Sequence, residues 1–275
     1  MLKICIILSL GMANIVHLFG KIWNKCTKIV RIDAMCQYFV YICTAQSITM
    51  SFLRRIYIWF KRFRYRRGYG VHSPFAFRLI TDVVYERLPF YAYEELKQVR
   101  RLLPKESKVY PERVDRLLFR LVNRFSPQRV VDVGTGAGLS LCYLSAARLE
   151  AQCVSLCGED AAGVCGEVVD PCKNATVVAE PLMDAFRREL DIEPGVDLLH
   201  IAHTADYSQV FEEFLPYAEE NSLVVIEGIY ETKAKSEWWK QVVADERTGI
   251  TFDLYDLGLV FFDRQKNKQH YVVNF

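Results

Sequence analysis

Net charge is nearly missing from this chain. Its 35 Lys and Arg stand against 33 Asp and Glu, leaving +2 over 275 residues. That balance excludes a molecule built over its whole surface to bind a polyanion. A comfortable membrane-spanning run is also missing. Ile4–Gly20 comes nearest, but it is short, flanked by Lys3 and Lys21, and interrupted by Asn14 and His17. No small-x-small cleavage site precedes the next basic residues, so a signal peptide is not indicated either. The nine cysteines are odd in number, scattered singly, and never form C-x-x-C. This argues against a zinc site or a disulfide framework and for reduced thiols in a cytoplasmic protein. No metal is expected.

What is present is enough apolar sequence, 51%, for a substantial core. Residues 1–49 mix Cys, Ile, Lys and Tyr without helical or strand period, and Met50-Ser-Phe-Leu-Arg-Arg reads as a natural start. The expectation is that Met1–Thr49 belongs to an over-extended gene reading. Residues 50–104 form a basic-aromatic helical region, and 105–275 the main domain. From Ser51 to Gly70 there are seven Arg or Lys, seven aromatics and no acid. Ile56, Trp59, Phe60 and Phe63 fall on one helical stripe, with Arg55, Arg62 and Arg66 off it. Such a helix either packs on the main domain and snorkels its arginines or lies on an anionic membrane surface through Arg54–Arg67. The second reading would place the protein at the inner membrane face. Nucleic acid is the weakest of the three. Further helices are expected from Ser73-Pro74 to Glu86, over 92–103, and over 112–125.

The most informative stretch is Arg129-Val-Val-Asp-Val-Gly-Thr-Gly-Ala-Gly-Leu-Ser140. Val130, Val131 and Val133 make a short buried strand, and Gly134, Gly136 and Gly138 turn it into an apolar helix. Glycines let a backbone approach a ligand closely. The spacing is G-x-G-x-G, not the G-x-G-x-x-G that cradles a pyrophosphate. Asp132, two residues before the first glycine, is a poor neighbour for pyrophosphate and a good one for an ammonium group.

With that motif the chain resembles class I S-adenosylmethionine-dependent methyltransferases. The resemblance implies an α/β fold: a Rossmann-like, seven-stranded, mostly parallel sheet, helices on both faces and a reversed strand pair near the C-terminus. It implies S-adenosylmethionine as cofactor, held by Asp132, Gly134, Thr135, Gly136, Gly138 and Ser140. The ribose acid of the family falls on Glu159, with Asp160 an equal competitor, and the adenine region on Glu180 and Met183. Further strands are expected at 153–157, 175–179, 196–202, 221–230, 251–255, 259–263 and 270–275. Small-molecule O-methyltransferases look closest. Their metal ligands would fall on Ala202 and Glu227-Gly228, so two of three are missing and metal-dependent chemistry is not expected. Gly70-Val-His-Ser-Pro-Phe75 is similar to bacterial members of this fold.

The expected activity is O-methyl transfer to a small-molecule acceptor. Methyl transfer needs alignment, and a base only if the acceptor must lose a proton. His203 and Glu227 sit where strands end and ligands bind. His203 is the leading base, although it could equally cap its loop; Glu227 either binds a ligand or pairs with Lys233. His200 reads as a core or interface histidine, His72 as a structural turn residue, and Tyr207 and Tyr230 as pocket or packing. The alternative is a non-catalytic binding module of the same fold, favoured by Asn221-Ser222 where relatives carry Gly-Gly.

Overall fold

The computed structural model describes residues 58–104, 107, 109–157, 165, 167–169, 172–192 and 194–275. The proposed gene-reading segment Met1–Thr49, Arg54, Arg55, Glu159 and Asp160 lie outside them. The chain divides into two compact units, Met1–Lys61 and Arg62–Phe275. In the first, residues 58–61 are helical.

The second unit opens with a 3-10 turn, Phe63–Tyr65. The expected long basic helix does not continue here, and Arg62 is no surface cation. Its guanidinium grips Asp253 at 2.8 and 2.9 Å. Arg64 and Arg67 do face solvent, beside the exposed rings of Tyr65 and Tyr69.

Helix α1, Pro74–Arg78, starts where expected: Ser73 accepts from the Ala76 amide and Pro74 takes the first turn. It runs into a π turn, Leu79–Val84. Helices α2, Tyr93–Leu102, and α3, Glu112–Phe125, follow. Val114, Leu117, Leu118, Leu121 and Val122 of α3 are all buried, as their helical spacing demands.

The strands are β1 Arg129–Val133, β2 Gln152–Cys157, β3 Ala175–Ala179, β4 Leu198–Ile201, β5 Leu223–Glu227, β6 Thr251–Asp253, β7 Leu257–Phe261 and β8 His270–Val272. They form one sheet in the order β3-β2-β1-β4-β5-β7-β6-β8. The first five are parallel, and β7 is antiparallel to both β5 and β6. The eighth strand extends the seven-stranded plan by adding parallel to β6. The β6–β7 hairpin turns earlier than the sequence suggested, because Tyr255 adopts φ +71 and ends the extended run. Gly258 is obligatory there: a Cβ would sit 2.6 Å from the Trp239 ring.

Helices α4 Leu139–Ala147, α5 Leu182–Leu190, α6 Tyr207–Phe214 and α7 Lys233–Ala244 complete the description. Two cores result, one on each side of the sheet. Val130, Leu198 and Val225 pack against α3 and α4. Val131, Val133, Leu199, Ile201, Val224 and Ile226 pack with residues of α5, α6 and α7. Alternation along each strand decides which residue faces which core. No helix among the described residues is long and apolar enough to cross a membrane.

Candidate active site at the strand ends

The parallel strands reverse their order of addition between β1 and β4, and ligands of open α/β sheets bind at the C-terminal ends beside such a point. The glycine turn leaves β1 there. Gly134, Gly136 and Gly138 have φ of +79, +62 and +81, where a side chain is strained. Two of them also serve packing. A Cβ on Gly134 would lie 2.9 Å from the His203–Thr204 peptide, and one on Gly138 would lie 2.9 Å from Val169. The Thr135 hydroxyl is bonded to Ser155, and Ser140 donates to Asp115 at 2.9 Å. Both face inward and are buried.

On the α3/α4 side of the sheet, a row of polar side chains crosses four strands. Ser155 and His200 flank Asp132 in register, and Glu227 lies two residues beyond the partner of His200. All four are fully buried. Asp132 Oδ1 is 2.7 Å from His200 Nδ1, and Ser155 donates to Oδ2 at 3.4 Å. The far ring nitrogen of His200 is 3.2 Å from Glu227 Oε1, but out of line for a hydrogen bond. Neither carboxylate oxygen of Glu227 receives one. Burial alone would pull the His200 pKa down, yet Glu227 and Asp132 outweigh it and push it up to about 10. His200 is thus an imidazolium held between two carboxylates. It is a core histidine, as expected, and it takes the place by Glu227 that the sequence offered to the solvent-exposed Lys233.

Above this row sit residues from loops and helix starts. The Tyr110 ring stacks on His203 at 4.9 Å and 14°. A Cβ on Gly228, at φ +63, would collide with the Tyr110 hydroxyl, so glycine is what lets the tyrosine lie over the end of β5. Burial, then Glu227 and Glu231, raise the Tyr110 pKa and keep it a phenol. Burial lowers the His203 pKa, leaving a neutral imidazole near neutral pH. Asp115 of α3 is raised to about 7 by burial and by Glu227, against the pull of Arg100 and Ser140. Lys235, in the first turn of α7, is 3% exposed, with its amine 5.1 Å from the Tyr207 ring centre. Burial lowers its pKa although Glu231 and Glu227 oppose the shift.

The structure therefore gathers Asp132, Gly134, His203 and Glu227 at one edge. Tyr230 belongs elsewhere: its hydroxyl donates to Asp253 at 2.6 Å and its ring stacks on Tyr255. Tyr207 packs between Trp238 and Lys235. Glu180 is paired with Arg188, and Met183 packs against the α5–α7 core. Asn221 and Ser222 build their turn from side chains, bonding to Asp197 and to the Val196 carbonyl and Glu219 amide. His72 is exposed before α1. Five cysteines, Cys142, Cys153, Cys157, Cys165 and Cys172, are free. Among the described residues no cluster of His, Cys, Asp or Glu is arranged to hold a metal ion.

Sequence reading missed Tyr110, Asp115, Ser155, Glu231 and Lys235. Ser155 was readable once β1 and β2 were paired in register; the others come from helix starts and loops, whose approach to the strand ends has no local signal.

Solved structures repeat this arrangement of strands and helices. A methyltransferase from Podospora anserina, crystallised with S-adenosylhomocysteine, superposes at TM-score 0.53 with 12% identity, over 70% of this chain and 97% of that one. The chain has the class I methyltransferase fold. An O-methyltransferase from Bacillus cereus, also in complex with S-adenosylhomocysteine, superposes at 0.50 with 16% identity, over 67% of this chain and 96% of that one. A methyltransferase from Geobacter sulfurreducens gives 0.50, 14%, 65% and 92%. No family model and no curated protein matches the sequence.

Proposed function

We propose that this methyltransferase-fold chain binds S-adenosylmethionine at the glycine turn and transfers its methyl group to a hydroxyl of a small molecule, without a metal. The observation that carries the reading is the strained turn Gly134–Gly138, opening from Asp132 beside the switch point of the sheet. Fold and motif converge on one edge, and the neighbours in fold hold S-adenosylhomocysteine. The residues fit the cofactor: Gly136, at φ +62, keeps the turn free of a side chain, and two carboxylates, Asp132 and Glu227, against the one imidazolium of His200 suit a cationic ligand. Glu159 remains the proposed ribose partner.

When bound, the cofactor supplies an electrophilic methyl carbon. The chain's task is then to hold an acceptor oxygen in line with it and remove a proton. His203 would take up the proton that the acceptor hydroxyl loses. That imidazole is neutral at working pH, and no described residue hydrogen-bonds to its ring. Glu227 would orient the acceptor hydroxyl or stabilise the imidazolium formed. Tyr110, stacked on His203, holds that ring and shields it from water.

A second reading has its own observation. The Asp132 carboxylate is already bonded by His200 and Ser155, as in a structural rather than a catalytic acid. A non-catalytic binding module of this fold, associated with an anionic membrane surface through its basic-aromatic region, would look like this. Titration calorimetry of the full chain with S-adenosylhomocysteine separates the two. Micromolar binding that Gly136→Asp abolishes supports the enzyme; well-folded protein that binds neither product nor cofactor rejects it.

A further inference from the structure

A buried carboxylate whose oxygens receive no hydrogen bond is costly to keep. Glu227 is such a group, fully buried with both oxygens free of donors. Its surroundings cancel its charge only in part. His200 lies 2.7 Å from Asp132 and 3.2 Å from Glu227, so one imidazolium stands against two carboxylates. Asp115 is taken by Arg100. Glu231 adds a second negative field, and the Lys235 amine feels both Glu231 and Glu227 through space without forming an ion pair to either among the described residues. One negative charge in excess is left under the ends of β4 and β5.

We propose that Glu227 is the counter-charge for the cofactor's sulfonium, so that this chain distinguishes S-adenosylmethionine from S-adenosylhomocysteine by charge. The inference rests on the cofactor reading above. Methyl transfer turns a sulfonium into a neutral thioether. A buried cluster with one carboxylate more than it has cations favours the first over the second and releases the spent cofactor. His200 acts through its neighbours: it is hydrogen-bonded to Asp132 and only in ion-pair contact with Glu227, which leaves Glu227 as the carboxylate to meet the cation. Coulomb attraction at 4 Å in a partly screened interior is strong enough for discrimination of about tenfold or more.

The test is equilibrium binding to the full chain, with EDTA present. Three ligands are compared: S-adenosylmethionine, S-adenosylhomocysteine, and the analogue with an amine in place of the methylsulfonium. The expected result is that both cationic ligands bind at least about tenfold tighter than the thioether. Glu227→Gln should bring all three within about twofold, by weakening the cations and leaving the thioether unchanged. Wild-type protein that binds the thioether as tightly as the cations overturns the proposal, whether or not the variant folds. So does a preference that survives in folded Glu227→Gln. Binding of none of the three would remove the cofactor reading itself, a result distinct from equal binding.

Discussion

The two ends of the parallel sheet treat a buried charge in opposite ways. At the N-terminal end, Arg129 is 2% exposed and completely engaged. Its guanidinium donates to the carbonyls of Glu189 and Ile192 at 2.8 and 2.9 Å and pairs with the Glu189 carboxylate. Asp197 next to it accepts the amides of Gln128 and Arg129. At the C-terminal end, Glu227 is as deeply buried and receives no hydrogen bond. A satisfied buried charge fixes a fold; an unsatisfied one marks the place where something else must bind.

The sharpest way to break this comparison is to neutralise both ends. Arg129→Met strands the Glu189 carboxylate and should cost about 3–5 kcal/mol in chemical denaturation. Glu227→Gln removes a carboxylate that makes no hydrogen bond but lies 3.2 Å from the His200 imidazolium, and should cost about 1–2 kcal/mol while altering ligand binding. Equal losses would mean that Glu227 is as structural as Arg129. His200→Gln should cost roughly 2 kcal/mol at pH 6, since two carboxylates lose their shared cation. The His200 pKa is raised in the folded state, so its contribution is complete below about 6.5 and is lost as pH rises through about 10. Denaturation of both proteins from pH 6 to 10 should show the gap closing; a gap that widens would contradict a buried imidazolium. The smallest effect is expected at Lys235. Lys235→Met should stabilise by roughly 1 kcal/mol at pH 7, because a buried amine of lowered pKa disfavours the protonated fold. That gain should shrink towards pH 11, and destabilisation instead would assign Lys235 a structural partner.

Much of the fold was legible because its signals are local. Buried strands such as Val130–Val133 and Val224–Ile226, the cap at Ser73-Pro74 and the glycine turn are written in consecutive residues. The site was legible only where it lies on strand ends. Asp132, His203 and Glu227 could be placed, but the link from Asp132 through His200 to Glu227 depends on strand register across three strands. Tyr110 and Asp115 arrive from α3 and the loop before it, where packing rather than pattern sets the direction. Arg62 illustrates the same limit: its helical spacing pointed it at solvent, and a contact 191 residues away turned it inward.

The central claim is that ligand binds over the glycine turn between β1 and β4. Hydrogen exchange of the full chain with and without S-adenosylhomocysteine tests it most directly. The account predicts slowed exchange at residues 134–140 and 203–207, with β6 and β8 unchanged. Protection confined to other elements, or none at saturating ligand, would contradict it.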